Sequence, residues 1–253
     1  MNSLGNNAVE STELDERQAR IDLAAAFRLA GRMDMVEGVG NHFSYLLPGE
    51  PARFLINARG QHFSEMSAGH FLTANLDGEV LAGQGELRPV AFFIHSRIHL
   101  ARPEARCVLH AHPPYATALT MVEGGHIVGA HQLILRLGNR IAYDDDYNGI
   151  ALDEAEGDRI AATMGDATIL MMGCHGVTVV GPTVADAFDQ LYFLERMCRY
   201  EVFARSTGLP LRAIGAELRA SADHPLGHPR YEAQEHFAAL KRQLDREEPD
   251  YQF

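Results

Sequence analysis

Cysteine is scarce in this chain, and what there is does not pair. Cys107, Cys174 and Cys198 are an odd number, widely spaced, with no Cys-x-x-Cys step among them. That pattern excludes a disulfide framework and a structural zinc ribbon, and leaves small buried thiols as the expectation. Positive charge is also in short supply: 22 basic residues against 34 acidic ones give a formal charge of −12. With no Lys/Arg run to neutralise phosphates, nucleic acid is excluded as a partner, and an anionic membrane surface is disfavoured. No apolar run reaches the roughly 20 residues that span a bilayer. The opening segment MNSLGNNAVESTELDE has neither the basic nor the apolar region of a signal peptide, so a cytoplasmic protein is expected, with no membrane partner. Internal repeats and low-complexity linkers are missing as well. A chain of 253 residues, 46% hydrophobic, therefore reads as one α/β domain with a partly antiparallel sheet.

Within that domain the elements follow from period and punctuation. Residues 1–10 are polar and Asn-rich and are expected to lack order. A helix follows, with Thr12 and Asp15 as a capping box, apolar Ile21, Leu23, Ala24, Phe27 and Ala30 at helical spacing, and Gly31 as its stop. NHFSYLL and RFLIN read as strands, and FLTANLDGEVLAG as a hairpin around Asp-Gly. Pro89 opens a helix that Pro103 closes. Strands are expected at CVLHAH, GHIVGAH and RIAYD, helices at YATALTMV and DEAEGDRIAATMG, and two strands joined at Cys174-His175-Gly176 in ATILMMGCHGVTVVG. A long helix capped at Thr183 buries Phe188, Leu191, Leu194 and Met197. Residues 11–215 make the main domain, and 216–253 a C-terminal loop, helix and tail.

What the chain holds in quantity is histidine, 13 in all. In RCVLHAHPPYATAL an apolar run ends in His-Ala-His and is stopped by two prolines. Alternate residues of a strand share a face, so His110 and His112 point the same way. Two neutral imidazoles aimed at one point can share a metal ion, although buried, hydrogen-bonded histidines would show the same spacing. His175 lies between two strongly apolar strands in a Gly-Cys-His-Gly turn, where flanking glycines let the backbone bring the ring to a crowded point. A third imidazole beside the pair would leave open positions on the ion, the pattern of a catalytic site. His95 and His99, four apart on a helix, share a face, a spacing that can bind metal and that fits a core-facing role equally well. For His42, His62, His70, His126, His131, His224, His228 and His236 a surface or hydrogen-bonded role is expected. Asp144 to Asp146 read as a solvated turn.

The runs AFFIHSRIHLARPEARCVLHAHPPYATAL and ILMMGCHGVTVVGPTVADAFDQLYFLERMCR resemble the two signatures of the class II aldolase/adducin family. GNHFSYLLPG, VLAGQGE and RIAYDDDYNGIALDEAEGDRIA lie in the matching order, so the resemblance covers roughly residues 15 to 205. It implies a single three-layer α/β/α domain with a central, largely antiparallel sheet, and a homo-oligomer, commonly a tetramer, with sites near subunit interfaces. It places one divalent ion per chain on His110, His112 and His175, and an acid/base glutamate closest to Glu86. Asn41, in the retained GNHFS, and His95, on the helix beside the site, become candidate substrate contacts. Tyr115 is a candidate proton donor. The family's Ser-Ser-Glu is replaced by Gln84-Gly85-Glu86, and a Thr- or Ser-rich phosphate turn by Asn57-Ala58-Arg59-Gly60. These departures turn the expectation from a sugar phosphate toward an acidic, non-phosphorylated small molecule, with Arg59 and Arg88 to pair its carboxylate.

The chemistry that suits such a set is carbon-carbon cleavage in a hydroxylated or keto acid, by decarboxylation or aldol cleavage, since both leave negative charge on an oxygen that a Lewis acid can stabilise as an enolate. Imidazole ligands suit zinc, manganese, iron and cobalt alike. Two other readings stand beside the lyase. One is an interaction module like the adducin branch, which has no physical need of three converging histidines. The other is a non-haem iron oxygenase on the same fold.

Overall fold

A computed structural model describes the backbone of residues 3–221 and 230–253 and the side chains of 15–219 and 232–253. The readings of His224 and His228, and of residues 1 and 2, lie outside the described residues. Eight strands form one sheet: β1 (His42–Leu46), β2 (Arg53–Asn57), β3 (Phe71–Asn75), β4 (Val80–Ala82), β5 (Cys107–Ala111), β6 (Ile141–Asp144), β7 (Ile169–Met172) and β8 (Gly176–Gly181). Their order is β4-β3-β2-β1-β5-β8-β7-β6. Every neighbouring pair is antiparallel except β6 and β7, which is the expected largely antiparallel sheet.

Helices cover both faces. On one side lie α1 (Ser3–Arg32), α3 (Pro114–Thr120), α4 (Leu133–Leu137), α6 (Val184–Arg205) and α8 (Arg230–Glu247). On the other lie α2 (Pro89–Ala101) and α5 (Glu154–Met164); a short α7 (Ala216–Ser221) sits near α4. The pleat of β5 sorts its side chains between these layers. Cys107, Leu109 and Ala111 enter the larger core with α1 and α6, while Val108 joins Ile94, Ile98 and Ile160 under α2 and α5.

The long helix is capped as expected, Thr183 Oγ1 accepting from the Asp186 amide, and buries Phe188, Leu191, Leu194 and Met197. Three expectations are corrected. Helix α1 begins at Ser3, ahead of the cap expected at Thr12 and through most of the segment expected to lack order; no proline interrupts that run. Residues 125–131 form no strand, because side chains take their amides: the Tyr143 hydroxyl accepts from Ile127, and the Glu201 carboxylate from Val128 and Gly129. Asp144 is buried rather than solvated, held by Arg159 through two bonds of 2.9 and 2.8 Å. The C-terminal helix is integral to the domain, since Phe237, Leu244 and Tyr251 complete the larger core.

Candidate metal centre

Strands β1, β5 and β8 are neighbours, and their register sets His42 opposite His110 and His110 opposite Thr178. The three residues thus form one row across the sheet on the side facing α2. His112 stands just beyond the end of β5, and its Nε2 lies 3.2 Å from the Nε2 of His110. His175 comes from the turn between β7 and β8. Cys174 makes that turn in the left-handed region, φ +54, and its thiol is exposed, unlike the buried Cys107 and Cys198. Gly176 explains the flanking glycine: a Cβ there would lie 2.4 Å from His112 Cδ2 and 2.7 Å from the Ala111 carbonyl oxygen. Ring centroids of His175 lie 4.8 Å from His110 and 4.9 Å from His112. One nitrogen from each of the three rings falls within 4.8 Å of the other two.

Hydrogen bonds fix which nitrogen of each strand-end ring is free. Glu37 Oε2 lies 2.6 Å from His112 Nδ1; a carboxylate only accepts, so Nδ1 carries the proton. Thr178 Oγ1 donates to Met172 Sδ and therefore accepts from His110 Nδ1 at 3.1 Å. The two Nε2 atoms then face each other at 3.2 Å, close enough for one ion to take both. Burial drives the His110 pKa well below its ordinary value. His175 is lowered to about 4, by burial first and by His112 second. Neutral rings are what a divalent ion requires, so the donor set fits one.

The other expected site residues fall into three groups. Asn41 and Arg88 brace the loop that presents Glu37. Asn41 Oδ1 accepts from the Glu37 amide at 2.6 Å, and Arg88 donates to the carbonyls of Val39 and Gly40 at 3.2 and 2.8 Å. The Asn41 Nδ2 is buried without a partner. His95, on the inner face of α2, is fully buried with both nitrogens engaged, by His42 at 2.8 Å and by Ser44. Ser44 passes the chain on to His99 Nε2 at 2.8 Å.

Glu86 does not join the histidine cluster. Its carboxylate is 81% exposed and faces Arg59 at 3.8 Å. Tyr115 packs on the α3–α6 side, its ring 5.4 Å from Phe203. Sequence reasoning missed Glu37 and Thr178, and gave His42 a surface or hydrogen-bonded role; its ring is buried, bonded to His95, and stacks on His110 at 4.7 Å. The alternation of β1 alone would have placed His42 on one sheet face, but nothing local pairs it with His110.

A fold and a centre of this kind define a family, and comparison with known proteins agrees. The class II aldolase and adducin N-terminal domain matches residues 21–202. A Caulobacter vibrioides protein named "Putative aldolase class 2 protein" is 35% identical over 93% of this chain and 92% of its own. Human beta-adducin is 30% identical over 76% of this chain and 27% of its own. The crystal structure of an aldolase II superfamily protein from Pseudomonas syringae is 32% identical with a TM-score of 0.88, covering 94% of this chain and 96% of that one. The chain belongs to the class II aldolase and adducin family. Among the described residues, no helix is long and apolar enough to cross a membrane.

Proposed function

We propose that the protein is a divalent-metal-dependent lyase that breaks a carbon-carbon bond in a small hydroxylated or keto acid, by decarboxylation or aldol cleavage. The observation that carries this reading is the convergence of His110, His112 and His175 with two of their outer nitrogens already tied to Thr178 and Glu37. Those three residues would hold the ion. When bound, it would supply a Lewis acid at the oxygen beside the bond that breaks.

The chain's own groups do the rest. Glu37 keeps His112 in the tautomer that offers Nε2, the carboxylate-histidine support typical of metal ligands. Asn41 and Arg88 hold the Glu37 loop in place. Arg59, 64% exposed and only loosely paired with Glu86, is free to take a substrate carboxylate, and Glu86 on the same rim is the proposed proton carrier. A homo-oligomer in the cytoplasm belongs to the same reading. An interaction module has no need of converging imidazoles, which ranks it lower.

Elemental analysis of untagged protein purified without chelator tests the proposal. About one divalent ion per chain is expected, with zinc, manganese or cobalt leading to assays of carbon dioxide or aldehyde release. No ion, and none taken up on reconstitution, overturns it.

A further inference from the structure

A second concavity, of about 290 Å³, lies where the end of α1, the start of α3 and the middle of α6 meet. Arg196 and Arg199 line it with Tyr115, Tyr192, Asp34 and Met35. Several other arginines of the chain hold carboxylates: Arg136 to Asp189 at 2.8 Å, Arg159 to Asp144 at 2.8 Å and Arg205 to Glu201 at 2.7 Å. The two pocket arginines instead lie over rings. Arg196 is 5.1 Å from the Tyr192 centroid, and Arg199 is 5.5 Å from Tyr115 and 5.6 Å from Phe203.

The sequence offers Arg199 an ion pair and the structure declines it. Glu195 stands four residues before Arg199, the favourable order for a helical pair. Its carboxylate is turned inward, however, and accepts the amides of Tyr115 and Ala116 at 3.0 and 2.9 Å. Glu195 thereby ties α3 to α6 and leaves the Arg199 fork to the cavity. Glu195 and Asp34 also line the cavity, but neither forms an ion pair with Arg196 or Arg199, and two guanidiniums unpaired among the described residues, set against aromatic and methionine walls, mark a place for an organic anion. The volume suits one small ring.

We propose that this pocket binds a small carboxylate with an apolar or aromatic body, its carboxylate on Arg196 and Arg199 and its body against Tyr115, Tyr192 and Met35, independently of the histidine centre. Asp34, which lines the same cavity, adds one acceptor for a hydroxyl on the ligand.

The probe is 4-hydroxybenzoate, titrated calorimetrically into the full-length protein, with neutral 4-hydroxybenzamide as control. One saturable site per chain is expected. Binding should persist in His175→Ala, fall by about tenfold or more in Arg196→Gln and in Arg199→Gln, and be undetectable for the amide. Circular dichroism confirms that the variants are folded, and Arg196→Lys, which keeps the charge, should retain part of the affinity. Loss of binding in His175→Ala would place the anion at the histidine centre and overturn the proposal. Equal binding by the glutamine variants, or no saturable site, overturns it too. So does a double glutamine variant that sediments as a different oligomer, since the arginines would then belong to a contact between copies.

Discussion

Two groups of histidines lie side by side between the sheet and α2, and they differ in one respect that decides what each can do. In the first, His110, His112 and His175, the outer nitrogens of the first two rings are taken by Thr178 and Glu37, which turns their remaining lone pairs toward one point. In the second, His42, His95 and His99, the rings are bonded to each other and to Ser44 and sealed beneath α2. The residue type is the same and the rings of His42 and His110 even stack. A histidine becomes a ligand when something else holds its second nitrogen; when another histidine does so, both are spent on packing.

The contrast can be broken most severely at the open group. His175→Ala is expected to abolish metal binding and activity while the circular dichroism spectrum stays native. A variant that keeps one ion per chain would dissolve the distinction.

The next largest effect comes from acid. Burial lowers His42 and His99 to about 3 and His175 to about 4 from an ordinary 6.5, and lowers His95 and His110 well below it as well. Each of these groups binds its proton more readily in the unfolded chain. Their contribution to stability is therefore complete above pH 6.5 and is lost as pH falls from there toward the folded values. Across that window each histidine that must take up a proton on unfolding lowers the stability further. Chelator-treated protein should show a steep drop in the urea midpoint between pH 6.5 and 5; a flat profile would mean that the sealed rings are not held neutral.

Smaller again is the expected cost of His95→Ala. It strips partners from His42 and Ser44 and leaves a void, for about 3 kcal/mol of destabilisation in denaturant unfolding. Metal content should be unchanged, and a variant that lost its ion with no change in stability would put His95 in the wrong group. Glu37→Gln sharpens the comparison from the other side. Metal affinity should weaken about tenfold to a hundredfold by competition titration, with the stability of the metal-free protein unaltered. An unchanged affinity would remove Glu37 from the support of His112.

Much of the open group was legible in the sequence, because its signals are local. The alternation in CVLHAH sets His110 and His112 on one face, and the Gly-Cys-His-Gly turn isolates His175 between two apolar strands. The sealed group was not legible. His42 meets His110 only through the pairing of β1 with β5, a match between segments more than sixty residues apart that no short-range period encodes. Glu37 is hidden for a related reason: it is an exposed acid on a loop, and only the tertiary fold carries that loop to His112. Supporting bonds were hidden in the same way. Asn41 and Arg88 look like substrate contacts in sequence, but their bonds run to the backbone that carries Glu37. Element boundaries were the easier inference, since caps, prolines and the Asp-Gly turn mark most of them without help from tertiary contacts, whereas the three-layer arrangement came from the family resemblance.

Gly176 deserves a last consideration, because it is where strand pairing and ligand placement become one condition. On the β7–β8 ladder Gly176 stands opposite Met172 and Val177 opposite Met171, and on its other side Val177 stands opposite Ala111. If β8 slipped by one residue against β5, a valine side chain would stand where the glycine now clears the His112 ring. The mispaired sheet would push aside a ligand it is meant to position. The centre therefore acts as a proofreader of its own scaffold: only chains whose strands have settled in the right frame can assemble the three imidazoles, and any ion they capture rewards that frame alone.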